Sequence, residues 1–175
     1  MRWKAFKKKF QDCTECNLCN NRKNIVLYSG SWNAKVLMVG EAPGISEDLF
    51  GSAFKGPAGL MLKDMIAASD LPLQEVGFTY AVSCIPYNES KQKPKKEELE
   101  ACWNRLETTI SSVKPIVIVA VGKPASNWIE KKVDVDSYEL KELIHPASIM
   151  RMSPVQQSIA VAKTFATLNE IAEEI

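Results

Sequence analysis

Short apolar runs recur along the chain, separated by stretches whose apolar residues return every three or four positions. The run Lys35–Gly40 carries Val36-Leu37-Met38-Val39, long enough for a buried strand and too short for a helix. Phe78–Ser83 is β-rich and bounded by Gly77 and Cys84. Ile116–Val121 reads IVIVAV, apolar on both faces, which predicts a central strand. Leu140–Ile144 closes the series after a less regular region. Between these runs the spacing predicts helices. Trp3, Phe6 and Phe10 give one over residues 1–12. A second runs from Pro57 to Ser69, with proline suited to its first turn. Leu99, Cys102, Leu106, Ile110 and Val113 make the stripe of a third. Gly122-Lys123-Pro124 opens a fourth, to about Lys131. Val161, Phe165, Leu168, Ala172 and Ile175 mark a last one from Pro154. Strands alternating with helices predict an α/β fold whose parallel sheet is covered on both faces.

The polar punctuation locates the candidate chemistry. The first strand ends in Gly40-Glu41-Ala42-Pro43-Gly44, a glycine and proline turn holding a carboxylate. A second glycine-rich piece, Gly51 to Gly59, holds Phe54 and runs into the second helix. Open α/β sheets bind ligands where strands end in such loops. At 175 residues the chain is expected to form one domain, 1–175, with a substantial core. No run of 18 apolar residues is present, so no membrane span is expected. The basic N-terminus lacks the apolar block of a signal peptide, which makes a cytoplasmic location the expectation. Arg2, Lys4, Lys7, Lys8 and Lys9 read as a solvated helix face or, alternatively, as a phosphate-contacting patch. A formal net charge of +1 means that any affinity for nucleic acid must come from local patches. Lys91, Lys93, Lys95 and Lys96 form one such patch before the third helix.

Five cysteines sit at Cys13-x-x-Cys16-x-x-Cys19, Cys84 and Cys102. A C-x-x-C pair backed by distant cysteines reads as a metal or iron–sulfur site. His145, the one histidine, lies in a His-Pro-Ala turn.

Taken in order, these pieces resemble the uracil-DNA glycosylase superfamily, most nearly its iron–sulfur-containing family 4. The likeness rests on Cys13-x-x-Cys16, Gly40-Glu41-Ala42-Pro43-Gly44, Phe54 within G-x-x-F-x-G-x-A-G, Cys84, Cys102 and His145-Pro146-Ala147. It implies a three-layer α/β/α sandwich with a central four-stranded parallel sheet. It also implies a DNA glycosylase, which hydrolyses the N-glycosidic bond of a base flipped out of DNA. Under it Cys13, Cys16, Cys84 and Cys102 hold a [4Fe-4S] cluster, with structural zinc as the alternative. Cys19 has no counterpart, although its spacing would suit a substitute ligand. Glu41 would stabilise cationic character on the sugar and orient water, and His145 would face the anionic leaving base. Gly40, Ala42, Phe54 and Tyr80 would line the base pocket, Phe54 as the stacking surface. Ser148, Ile149, Met150, Arg151 and Met152 would form the loop that meets the duplex, Arg151 at phosphate. DNA is the implied partner and a monomer the implied state.

The chain departs from the family at Tyr80, where an asparagine amide reads the uracil edge. A phenol places donor and acceptor on one oxygen and is bulkier. Ile85 stands where a basic residue normally follows the third cysteine. The expected substrate is therefore uracil or a modified or damaged relative. Two rival readings stand beside it. One is a non-catalytic DNA-binding or replication-associated protein on the same scaffold. The other, a nucleotide-binding α/β domain, lacks a G-x-G-x-x-G or P-loop.

Overall fold

The computed structural model describes residues 1–87, 93–133 and 137–175. Five strands form one mixed sheet: β1 (Ser29–Gly30), β2 (Val36–Gly40), β3 (Val76–Tyr80), β4 (Val117–Val121) and β5 (Glu139–Leu143). Their spatial order is β1-β3-β2-β4-β5. The four longer strands run parallel, and β1 pairs antiparallel with β3 through Ser29–Phe78 and Gly30–Gly77. The expected four-stranded parallel sheet is thus corrected to five strands of mixed direction. Two residues carry no periodicity, so β1 exists only through its pairing with a strand some fifty residues on.

Alternation of side chains along each strand sends neighbours to opposite faces. Val36, Met38, Val117 and Val119 pack with Leu62, Met65 and Ile66 of α3 (Pro57–Ala67) and with Ala160, Leu168 and Ile171 of α7 (Pro154–Glu174). Leu37, Val39, Ile118 and Ala120 pack instead with Leu106 and Ile110 of α4 (Lys96–Val113) and with Ala125 and Ile129 of α5 (Lys123–Ile129). Each such buried aliphatic side chain contributes about 1.5–3 kcal/mol. The uniformly apolar runs of β2 and β4 are explained by helices on both sides. Edge strand β5 has only Leu143 fully buried, which is why its sequence looks irregular. There Lys141 holds Glu139, Glu170 and Glu174, tying the strand to α7.

Helix α1 (Trp3–Phe10) is shorter than expected, and its Trp3 and Phe6 pack against Trp32. Two further short helices, α2 (Ile45–Phe50) and α6 (Pro146–Ile149), follow the loops that carry Glu41 and His145. Strand β3 spans Val76–Tyr80 rather than Phe78–Ser83, so Tyr80 is its last residue. The chain beyond it still clings to the β2 exit: Ala81 N–H donates to Gly40 O (2.8 Å) and Val82 N–H to Glu41 O (3.2 Å). Among the described residues no helix is long and apolar enough to cross a membrane.

Candidate active site and cysteine cavity

Parallel strands deliver their C-terminal ends to a single sheet edge, and here that edge collects Gly40, Tyr80, Val121 and Leu143. Gly40 lies opposite Tyr80 in register. A Cβ at Gly40 would come within 2.7 Å of the Tyr80 ring and 3.1 Å of the Phe54 ring, so glycine lets both aromatics lie over the β2 exit. Phe54 takes a left-handed backbone, φ +52°, rare for a bulky residue and a mark of functional loops. Two contacts hold it there. Its N–H donates to the Tyr80 hydroxyl (3.0 Å), and its carbonyl accepts from Lys63 Nζ (2.9 Å). The main chain of Phe54 rests directly on Gly59, where any Cβ would collide with it.

Phe54 is 3% exposed, and its ring stacks on Tyr80 at 4.9 Å with planes 10° apart. The face expected to receive a base is therefore covered by the chain's own phenol. Stacking adds about 0.5–1.5 kcal/mol to the burial of the two rings. Burial drives the Tyr80 pKa well above that of a free phenol, so the hydroxyl remains protonated.

Glu47, which the sequence reading passed over, joins the two glycine loops. Only 7% exposed, it accepts from Gly44 N–H at Oε2 (3.0 Å) and from Lys55 and Gly56 N–H at Oε1 (2.8 and 2.7 Å). One carboxylate thus satisfies donors from the Glu41 loop and the Phe54 loop together. Its neighbour Asp48 accepts from Lys23 and Asn24 N–H in the same manner, anchoring the N-terminal segment. The signal available in sequence was a Glu three residues past a glycine turn, an arrangement common at helix starts.

Glu41 is half-buried on the turn after β2. Burial raises its pKa, and the positive charge of Lys93 pulls it part of the way back. His145 precedes α6, where its Nδ1 accepts from Ala147 N–H (3.1 Å). A neutral imidazole that accepts at Nδ1 carries its proton at Nε2 and is a donor there. Burial, with Arg151 nearby, lowers the His145 pKa, while Glu47 opposes that shift. The neutral form prevails at neutral pH. The negative charge of Glu47 also helps to raise the Tyr80 pKa.

The remaining site expectations divide. Lys93, Lys95, Lys96, Met150 and Arg151 are exposed, and Ser148 is half-buried. Lys91 lies outside the described residues. Ala42, expected in the base pocket, packs with Leu18, Val82 and Cys84.

On the side of the sheet end away from Phe54, Cys13, Cys16, Cys84 and Cys102 line a single cavity of about 280 Å³, and Cys19 joins them. Arg22 Nη1 donates to Cys84 Sγ (3.1 Å) and its Nη2 to Cys13 O (2.8 Å). Burial raises the pKa of Cys16 and lifts that of Cys84 to about 11. Two of the residues that line this cavity carry a buried donor without a partner among the described residues: Ser83 Oγ and Arg105 Nε. No three Cys, His, Asp or Glu side chains among the described residues are grouped to hold a metal ion.

Comparison with known proteins places these features. The model of the family described as the uracil DNA glycosylase superfamily matches residues 27–170. A type-4 uracil-DNA glycosylase of Archaeoglobus fulgidus is 34% identical over 129 residues, covering 74% of this chain and 64% of the relative. One from Thermotoga maritima is 36% identical over 125 residues, covering 70% and 64%. Another, from Pyrobaculum aerophilum, is 38% identical over 112 residues, covering 64% and 56%. The chain therefore answers to less than two thirds of the length of these relatives. In structure it is similar to a uracil DNA glycosylase candidate of Methanosarcina acetivorans solved by solution NMR. That likeness has a TM-score of 0.57 at 17% identity, over 82% of this chain and 97% of the other, and it concerns the fold.

Proposed function

The chain belongs to the uracil-DNA glycosylase superfamily, and from that premise we propose that it is a DNA glycosylase acting on uracil or a modified relative in DNA. Its three-layer sandwich presents the site at the C-terminal edge of the parallel strands. The observation that carries the reading is that one sheet edge holds a half-buried Glu41 after β2 and, after β5, a His145 whose Nδ1 accepts from Ala147 N–H and so leaves the ring proton at Nε2. The N-glycosidic bond breaks with its electron pair going to the base nitrogen, and water forms the new bond to C1′. Glu41, ionised, stabilises the sugar cation and orients that water. His145 Nε2–H donates to the base oxygen on which negative charge grows, without gaining a charge beforehand. A donor of this kind contributes about 10²–10³ in rate. The relatives named above are glycosylases by name, which does not favour the non-catalytic reading.

Tyr80 sets the substrate. Where it stacks on Phe54, a flipped base can use that face only after the phenol moves aside. Ordinary uracil in duplex DNA is accordingly a poor substrate, and a base that engages the phenol is a better one.

Cys13, Cys16, Cys84 and Cys102 would hold a [4Fe-4S] cluster. The donor set fits: four thiols on one cavity much larger than a single ion, Arg22 donating to a thiol, and two buried donors without a partner among the described residues. Zinc requires four sulfurs about 2.3 Å from one point, and the thiols are not so grouped. When bound, the cluster supplies a crosslink between the N-terminal loop, the β3 exit and α4. DNA would be met by Lys93, Lys95, Lys96 and Arg151 at the same sheet edge.

Single-turnover excision from oligonucleotides carrying different modified bases tests the reading. Glu41→Gln and His145→Ala should each slow excision by about 10²–10³ with DNA affinity nearly unchanged. Equal loss of binding and excision, or no excision of any base by the wild type, would overturn it.

A further inference from the structure

Resting on the cluster reading above, the structure assigns a role to two residues that hold no iron: we propose that Ser83 and Arg105 are hydrogen-bond donors to the sulfurs of the cluster and set its redox potential. Both are buried, Ser83 1% and Arg105 3% exposed, and both line the cysteine cavity. Arg105 spends its two terminal nitrogens on the sheet: Nη1 donates to Thr79 Oγ1 (2.8 Å) and Nη2 to Tyr80 O and Ala81 O. Its Nε–H has no partner among the described residues, nor has the Ser83 hydroxyl. A buried donor left unsatisfied costs about 1–3 kcal/mol. Two on residues that line one cavity, one next to Cys84 in sequence and one a helical turn from Cys102, point to an acceptor there.

The placement follows from local geometry. Ser83 directly precedes Cys84. Arg105 is three residues past Cys102 on α4, one turn along the same helix face, and its Nη2 lies 3.9 Å from Cys102 Sγ. With Arg22 on Cys84, guanidinium donors approach two of the thiols from two separate segments. Hydrogen bonds to cluster sulfur stabilise the more negative, reduced form and so raise the reduction potential. A guanidinium adds a fixed positive charge in the same direction. Arg105 would serve two masters, the cluster on one side and the β3 terminus bearing Tyr80 on the other.

The test uses the full chain, purified anaerobically, with iron counted and the one-electron potential measured by spectroelectrochemical titration. Resonance Raman spectra in H₂O and D₂O report hydrogen bonding at the Fe–S modes. Ser83→Ala should retain iron, lose part of the D₂O shift, and disfavour reduction about tenfold, which is about 59 mV for one electron. Arg105→Lys should lower the potential further. If Arg105→Lys fails to fold, Ser83→Ala decides alone. Iron-loaded wild type with potential and D₂O shift unchanged in the variants would overturn this inference and leave the cluster standing. Wild type without iron would overturn the cluster reading, and this inference with it.

Discussion

The two functional regions of this molecule treat their polar groups in opposite ways. At the sheet edge the chain pairs its own groups: Tyr80 takes the Phe54 N–H, Glu47 takes three more, and Lys63 caps the Phe54 carbonyl. The cysteine cavity, a few residues away across the β3 exit, keeps two buried donors without partners among the described residues. A buried polar group costs free energy unless it is paired. In the first region the chain's own side chains satisfy the main chain around Phe54, so a guest that stacks on the Tyr80-covered face of that ring must displace the phenol. The second is complete only with an acceptor that those side chains do not provide.

The sharpest way to break this contrast is at the cysteines. Cys16→Ala should lose iron and with it metal-linked folding energy, on the order of 10 kcal/mol at structural metal centres, read as a collapse in Tm. Cys19→Ala should keep both, and equal losses from the two variants would make Cys19 a ligand. At the other region, Glu47→Ala leaves three N–H groups without their carboxylate. It should destabilise the fold by about 3 kcal/mol in denaturant titration, with Glu47→Gln milder because an amide oxygen still accepts.

Next in size is Tyr80→Asn, which exchanges the stacked phenol for an amide able to read a base edge. Uracil excision should rise by the equivalent of about 1–3 kcal/mol, measured by single-turnover rates. Efficient uracil removal by the wild type with no gain in Tyr80→Asn would mean that Tyr80 leaves the Phe54 face freely. The smallest effect belongs to Lys93. Glu41 must be ionised, so activity falls as pH drops through its raised pKa. Lys93 lowers that pKa, hence Lys93→Ala should move the acid limb of the pH–rate profile to higher pH. His145, with its pKa lowered, protonates only below its ordinary range. The same variant should reduce the salt slope of DNA binding by about 0.9.

Much of the site was legible in one dimension. Glu41 sits on the glycine turn that ends an apolar run and Phe54 on the glycine-rich piece after it, and the Cys13–Cys16 pair does share one cavity with the distant Cys84 and Cys102. The substitution at Tyr80 was visible as chemistry, yet its stacking on Phe54 was not, since nothing local ties residue 80 to residue 54. Glu47 escaped notice for a similar reason. Its sequence neighbours explain only the Gly44 contact, while Lys55 and Gly56 arrive through the loop's return.

By itself the sequence determined what depends on near neighbours: the buried runs of β2 and β4, the helix faces packed on them, and the glycine turns that end those two strands. These follow from residue spacing, because a period of 2 or 3.6 decides which side chains share a face. Only the tertiary structure decided the antiparallel edge strand β1, the left-handed Phe54 held between Tyr80 and Lys63, and the Arg105 guanidinium reaching from α4 to the end of β3. Each of these pairs groups between nine and about fifty residues apart, and a buried donor finds its acceptor through the packing of whole elements rather than through the order of the chain.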